Sequence, residues 1–414
     1  MSNIKKLLEG VEVEWKTLGE ITNILRGKRL TRNLLSANDK YPVFHGGLDP
    51  LGYYYNANRP ADTVMIINVG ASAGTVGYSS VDFWSSDGTY CIEQMAKLNN
   101  KFLYYFLLGE QYYLKSRVRV AGIPTLDAFV IEKLQIPIPY PNNLKKSLEI
   151  QQEIVRILDS FSMLTAELQA ELQARKSQYE YYRNQLLAYP MEESDQSSLR
   201  SNRSATSIQN SDNSIQPLST LNPPTGNSVL QPRGKVEWKV LEEVVEIKRG
   251  KRLIKNQLEK TGKYAVYQNC MIPLGYYHKN NVIADTTFII SAGSAGEIGY
   301  SDVDFWAADD VYYFVTKNDL KSRFLYHFLI TQQQKIYSQV RRSSVPRLSK
   351  TAFEKLLIPI PSLEEQEHIV SILDKFDALT TSLTEGLPKE IELRQKQYEY
   401  YRNMLLSFPK NNIK

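Results

Sequence analysis

The chain carries the same architecture twice, and that duplication limits its fold more than any other feature. Val13-Glu14-Trp15-Lys16 returns as Val236-Glu237-Trp238-Lys239, and 12 of 18 positions are identical between residues 13–30 and 236–253. The match ends in Arg26-Gly27-Lys28-Arg29-Leu30 and Arg249-Gly250-Lys251-Arg252-Leu253. Leu51-Gly52-Tyr53-Tyr54 recurs as Leu274-Gly275-Tyr276-Tyr277, Ser72-Ala73-Gly74 as Ser294-Ala295-Gly296, and Val81-Asp82-Phe83-Trp84 as Val303-Asp304-Phe305-Trp306. Each copy closes on Ile-Pro-Ile-Pro, at 136–139 and 358–361. A duplication of this extent predicts two domains of one fold.

After each closure the pattern turns helical. Ile150, Ile154, Ile157, Phe161, Leu164 and Leu168 recur at intervals of four and three, and the stripe resumes at Leu172, Arg175, Tyr179, Tyr182 and Leu186. The second copy sets Ile369, Ile372, Phe376, Leu379, Leu383, Leu387, Ile391, Tyr398, Tyr401 and Leu405 in a similar seam. This heptad-like spacing predicts helices that pair along one apolar edge. Residues 178–187 match 397–406 at 9 of 10 positions. The second helix carries four extra residues around Glu385-Gly386-Leu387-Pro388. Four inserted residues keep a heptad seam facing the same way, whereas Pro388 predicts a break or kink.

Before each helix, short β-type runs (Thr63 to Asn68, Thr75 to Ser79, Thr286 to Ser291) mix with helical stretches at Lys101 to Arg117 and Lys321 to Val340. The fold class expected is α+β. Five segments follow: a first domain at 1–146, a helix at 147–190, a linker at 191–234, a second domain at 235–362 and a helix at 363–414. The linker reading rests on ten Ser, four Pro and no aromatic residue, in a chain that is 11% aromatic. That composition predicts disorder, and a coil of its length spans roughly 35–40 Å.

Charge divides along the same boundaries. Residues 1–146 hold 17 Lys+Arg against 13 Asp+Glu, and residues 235–362 hold 19 against 13. The helical segments are each acidic by two, with 4 against 6 and 7 against 9. Two basic domains separated by acidic material suit a polyanion binder with two contact surfaces. The polar N-terminus and the short apolar runs predict neither a signal peptide nor a membrane span. Two cysteines at unmatched positions, Cys91 and Cys270, predict a reduced, cytoplasmic protein with structural thiols.

Enzyme motifs are missing. Asn222-Pro223-Pro224-Thr225 lacks the aromatic residue and the upstream glycine-rich loop of an amino-methyltransferase. Glu14-Trp15-Lys16 is half of a nuclease motif with no Asp before it. There is no P-loop, and His45, His278, His327 and His368 stand singly, without metal-site spacing. The glycine-rich stretches Gly70 to Gly77 and Gly293 to Gly299 read as hairpin turns ahead of phosphate loops.

Binding residues are easier to nominate. Arg26, Lys28 and Arg29, with their counterparts Arg249, Lys251 and Arg252, flank a glycine that permits a sharp turn. Three cations then project from one loop toward phosphates or base edges; a solvated basic turn is the alternative. A second cluster holds Arg117 and Arg119 before Ile123-Pro124, and Arg341, Arg342 and Arg347 around Val345-Pro346. Arginine can read guanine bidentately in the major groove. Ala121-Gly122-Ile123-Pro124-Thr125 against Ser343-Ser344-Val345-Pro346-Arg347 is how one scaffold would read different bases. The runs Tyr53 to Tyr55 and Tyr276-Tyr277 suit strand packing better than base stacking.

These features resemble the specificity subunit of type I restriction–modification systems over nearly the whole chain. The resemblance rests on the paired Val-Glu-Trp-Lys starts, the Ile-Pro-Ile-Pro closures, the Gln-Glu-(His)-Ile-Val-x-Ile-Leu-Asp helix starts and the paired Gln-Tyr-Glu-Tyr-Tyr-Arg-Asn ends. It implies a non-catalytic subunit with two target-recognition domains alternating with two long antiparallel coiled-coil helices, related by a pseudo-twofold axis. It also implies partners: double-stranded DNA, two methyltransferase subunits and, for restriction, translocase–nuclease subunits. Each domain would read half of a bipartite, asymmetric site. The adenine-methylating cofactor, S-adenosylmethionine, would sit in the methyltransferase subunits, none on this chain. The long 191–234 segment departs from the short connection expected. Helices of about 42 residues make a rod of roughly 60 Å, and duplex DNA shares the pseudo-twofold symmetry. The alternatives are a silent or recombining gene copy that acts only as a scaffold, and a stand-alone enzyme, which the missing motifs argue against.

Overall fold

The structure is a computed structural model that describes residues 7–190, 236–382 and 384–409. The 191–234 segment, read above as a linker, and Leu383 of the second seam lie outside the described residues. The chain forms two compact units, one of residues up to Glu171 with those from Leu387 onward, the other from Leu172 to Gly386.

The first unit contains β1 (Val13–Thr17), α1 (Leu18–Ile21), β2 (Ile24–Arg26), β3 (Tyr41–Phe44), β4 (Gly52–Tyr54), β5 (Thr63–Ile67), β6 (Val76–Ser79), β7 (Trp84–Ser85) and β8 (Thr89–Ile92). Then come α2 (Asn100–Gly109), α3 (Gln111–Ser116), α4 (Ala128–Glu132), β9 (Gln135–Pro139) and α5 (Leu144–Leu186), whose C-terminal part belongs to the second unit. The second unit repeats most of this order: β10 (Glu237–Val240), α6 (Leu241–Val244), β11 (Val245–Arg249), β12 (Tyr264–Tyr267), β13 (Gly275–Tyr277), β14 (Thr286–Ile290), β15 (Ile298–Ser301), β16 (Trp306–Ala307) and β17 (Val311–Thr316). It continues with α7 (Ser322–Thr331), α8 (Gln333–Tyr337), β18 (Leu357–Ile360) and α9 (Leu363–Thr381). The last helix, α10 (Leu387–Leu406), belongs to the first unit.

In each unit a four-stranded antiparallel sheet, β2-β8-β5-β6 or β11-β17-β14-β15, carries the apolar core. All five residues of β5 and of β14 are buried, the leading threonines included, as expected of a strand inside a sheet covered on both faces. A smaller sheet, β4-β3-β7 or β13-β12-β16, includes one parallel pair. The glycine-rich stretches form the β5–β6 and β14–β15 hairpins. Gly74 and Gly296 sit there at φ +84° and +94°, a left-handed conformation that glycine adopts without steric penalty.

The two landmarks of each copy pair with one another. Most of Val-Glu-Trp-Lys lies on β1 or β10 and most of Ile-Pro-Ile-Pro on β9 or β18, and these strands form an antiparallel ribbon with Trp15 opposite Pro137 and Trp238 opposite Pro359. Proline is tolerated because a two-stranded ribbon leaves each strand with an edge that needs no donor. The ribbon is also tied to a helix end: Trp15 Nε1 donates to the Pro409 carbonyl at 3.0 Å, and Trp238 Nε1 to that of Pro190 at 3.3 Å.

The helix seams face inward. Ile150, Ile154 and Leu168 are buried in α5, as are Tyr398, Tyr401 and Leu405 in α10. In the first unit Phe161 stacks on Tyr401, with centroids 5.1 Å apart; in the second, Phe376 stacks on Tyr182 at 5.6 Å. One glutamine at each helix start, Gln151 or Gln366, is fully buried. Gln151 accepts from the Asn99 amide at 2.8 Å, and Gln366 accepts from the Lys321 amide at 2.8 Å. About two turns on, Asp159 binds Lys101 and Tyr105, and Asp374 binds Arg323 and His327. Burial holds the His327 imidazole below its ordinary value, against the pull of Asp374 at 2.8 Å. The second helical stretch is broken where Pro388 falls, since α9 ends at Thr381 and α10 begins at Leu387. Gly386 occupies the break at φ +83°, where a Cβ would lie 2.6 Å from the Ala378 carbonyl oxygen.

Candidate nucleic-acid interface

The Arg-Gly-Lys-Arg segments follow β2 and β11 as extended strips pinned along their backbones. Gly27 N donates to Thr89 O at 3.0 Å and Lys28 N to Ser85 O at 2.8 Å; Gly250 N donates to Val311 O and Lys251 N to Ala307 O, both at 2.9 Å. Trp84 Nε1 closes over the strip by donating to Lys28 O at 2.8 Å, as Trp306 Nε1 does to Lys251 O at 2.9 Å. The sharp turn expected from the glycine is corrected here, because neither Gly27 nor Gly250 has a positive φ. Glycine is required by contact instead. A Cβ on Gly27 would lie 1.9 Å from Ser86 O, and one on Gly250 2.1 Å from Ala308 O. The tight backbone contact fixes the strip, and Arg26, Lys28, Arg29, Arg249, Lys251 and Arg252 all project into solvent.

The second cluster sits on a loop closed by paired backbones. Arg119 and Thr125 exchange N–H···O bonds at 2.9 and 3.0 Å, and Arg341 and Arg347 do the same at 2.9 and 3.1 Å. Isolated bridges tie Thr125 to Val69 and Arg347 to Ala292, next to the central hairpins. Arg117, Arg119, Arg341, Arg342 and Arg347 are exposed.

In the first unit the two clusters meet. A cleft of about 760 Å³ is lined by Arg26, Arg29 and Arg119, with Arg32, Asp87, Asp127, His45 and Asn68 among its other walls. Lys28 and Arg117 lie outside that lining; the Arg117 guanidinium rests 5.0 Å over the Tyr113 ring. In the second unit the Arg249 guanidinium donates to Asp309 O at 2.7 Å. Tyr54 and Tyr277 pack edge-on against Trp84 and Trp306, while Tyr55 is 69% exposed. Among the described residues no group of His, Cys, Asp or Glu is arranged to hold a metal ion. None of the described helices is long and apolar enough to cross a membrane.

The family model for the type I restriction modification DNA specificity domain matches residues 10–175 and again 234–393. This chain belongs to the type I restriction–modification specificity subunits. These are non-catalytic DNA-recognition subunits. The chain is 32% identical to the EcoR124I/EcoR124II specificity subunit of Escherichia coli, over 99% of this chain and 98% of that one. It is 30% identical to a putative type I specificity subunit of Haemophilus influenzae, over 98% of both. The crystal structure of a type I S subunit from M. genitalium shares the fold, with a TM-score of 0.64 at 21% identity, covering 98% of both chains.

Within this specificity subunit, inspection of the sequence overlooked Arg32, Asp127 and Asn68 on the cleft wall. Asn68 is 3% exposed, and its Oδ1 has no hydrogen-bond partner among the described residues. Asp127 had a visible signal, because it follows the nominated loop by two residues and the second copy has Ser349 there. Asn68 had none; it only closes an apolar strand.

Proposed function

We propose that each unit of this specificity subunit reads one half of a bipartite, asymmetric DNA site, and that the paired helices dock two methyltransferase subunits. Translocase–nuclease subunits join the same assembly for restriction. S-adenosylmethionine is held by the methyltransferase subunits, where it supplies the methyl group for adenine; this chain contributes recognition. The eleven exposed cations, from Arg26 to Arg347, form the DNA-facing set: phosphate contacts orient the domains, and contacts to base edges select sequence.

One observation carries this reading. Two units of matching scaffold present identical Arg-Gly-Lys-Arg strips beside loops of different composition, Thr125 and Asp127 in one against Arg347 and Ser349 in the other. A protein reading two copies of one word has no use for that difference; one reading two different half-sites requires it. The test replaces residues 13–135 with the corresponding domain of another specificity subunit, followed by mapping of methylated adenines. One half of the motif is expected to change while the other stays. A change in both halves, or in neither, overturns the proposal.

A further inference from the structure

We propose that Arg119 is a base-reading residue of the first unit, directed at the O6/N7 edge of a guanine, and that Asp127 positions it. This rests on the chain's reading as a DNA-specificity subunit and assigns one position of one half-site to one side chain.

The composition of the cleft is the starting point. Arg26, Arg29, Arg32 and Arg119 line it, and so do the carboxylates Asp87 and Asp127. A surface serving only phosphates gains nothing from acids, since each repels the phosphate oxygens that the arginines attract. Base edges in the major groove offer donors and acceptors side by side, and a lining of both signs matches them.

Arg119 is also the cation of this cleft whose side chain is held at its tip. Its backbone N–H and C=O are both paired with Thr125. Its Nη2 lies 2.8 Å from Asp127 Oδ1, although its side chain is 67% exposed. An exposed arginine normally samples many rotamers, and a carboxylate at its tip restricts them before DNA arrives. One contact uses one of five N–H donors, leaving enough for a bidentate approach to guanine. Lys28 and Arg117, outside the cleft, have no carboxylate partner among the described residues and suit phosphates.

The second unit supplies the contrast. Arg341 occupies the position of Arg119 on an equally closed loop, but Ser349 replaces Asp127 and Arg347 replaces Thr125. The backbone is retained and the buttress is lost, as expected of a loop that reads something else.

The experiment uses the full chain assembled with its methyltransferase subunits. Duplexes carrying the methylated motif, each altered at one position, compete for binding at two salt concentrations. Arg119→Gln is expected to abolish preference at a single G·C position of the half-site read by the first unit. A bidentate pair corresponds to a loss of about 5- to 150-fold there, with every other position unchanged. Arg119→Lys, which keeps the charge and fold but not the fork, and Asp127→Ser, which copies the second unit, should weaken the same position and no other. A uniform loss of affinity with shallower salt dependence would make Arg119 a phosphate contact and overturn the assignment, as would an unchanged position profile. A wild-type complex that prefers none of the duplexes would overturn the DNA-specificity reading beneath it.

Discussion

Helix α5 runs without interruption from Leu144 to Leu186, beginning in one unit and ending in the other. Its middle holds Thr165-Ala166-Glu167-Leu168 followed by Gln169-Ala170-Glu171-Leu172, a near-tandem repeat that straddles the boundary between the units. Adding one more Gln-Ala-Glu-Leu after Leu172 inserts four residues. At 1.5 Å per residue the helix grows by about 6 Å, and at 3.6 residues per turn its two parts rotate by about 40° beyond a full turn. A base pair rises about 3.4 Å and turns the duplex by roughly 35°. The insertion therefore falls between one and two base pairs in both translation and rotation. The spacer between the half-sites is expected to lengthen by one or two base pairs while the bases read in each half stay the same. Methylome mapping of a strain carrying the insertion reads both quantities at once. An unchanged spacer with full methylation would show that α5 does not set the distance, and would move attention to residues 191–234.

Three further outcomes are expected. Lys28→Ala combined with Lys251→Ala should lower affinity without altering the motif, and reduce the slope of log K against log salt by about one per lost phosphate contact; titration of binding against salt checks it, and an unaltered slope would make both lysines merely solvated. Gly27→Ala should destabilise the first unit by about 1–3 kcal/mol, as overpacking does, because the new Cβ would lie 1.9 Å from the Ser86 carbonyl; thermal denaturation against Ser86→Ala, which leaves that carbonyl in place, separates backbone crowding from the serine side chain. His327 is buried in the second unit where the first has Tyr105, and burial lowers its pKa from 6.5. Below pH 6.5 the unfolded chain takes up a proton that the folded imidazole refuses, so stability is full above that value and falls as pH drops through it toward the lowered folded pKa. Hydrogen-exchange protection in α7, taken relative to the intrinsic exchange rate at each pH, should fall between pH 7.5 and 5.5 while that of α2 in the first unit changes less, and an equal fall in both would discard His327 as the cause.

The duplication, the central hairpins and the apolar helix seams were legible in the sequence because each is a local pattern. β5 is five consecutive buried residues, and the seam of α5 follows intervals of three and four. What escaped was set by distance along the chain. That Trp15 lies opposite Pro137 cannot be read from either segment, because strand pairing over 120 residues leaves no local trace. Gly27 stood out in the sequence as a residue that permits a sharp turn, but its φ is not positive; glycine is required there by the Ser86 carbonyl, a contact made 59 residues away that the local sequence does not reveal. The basic clusters were both nominated, yet their meeting at one cleft in the first unit depends on the bridge between Val69 and Thr125, which brings the second loop beside the hairpin.

The way the two copies share their helices explains why the most closely matched stretch of the chain lies at the helix ends. The end of α5, with Tyr179, Tyr182 and Leu186, packs into the second unit's core, and the end of α10, with Tyr398 and Leu405, into the first's. Each recognition domain is therefore completed by the helix end that follows the other copy in sequence. Phe161 requires Tyr401, and Phe376 requires Tyr182, so a change in either Gln-Tyr-Glu-Tyr-Tyr-Arg-Asn segment is felt by the domain farther from it along the chain. The second tyrosine of each run has a different role, since Tyr181 and Tyr400 are exposed at matching positions. The loops carrying Thr125 and Arg347 bear no such mutual obligation, because their backbone anchors lie within their own domains. Helix ends bound by packing in the opposite copy must stay alike; loops anchored only at home are free to diverge, and recognition can change there without disturbing the frame.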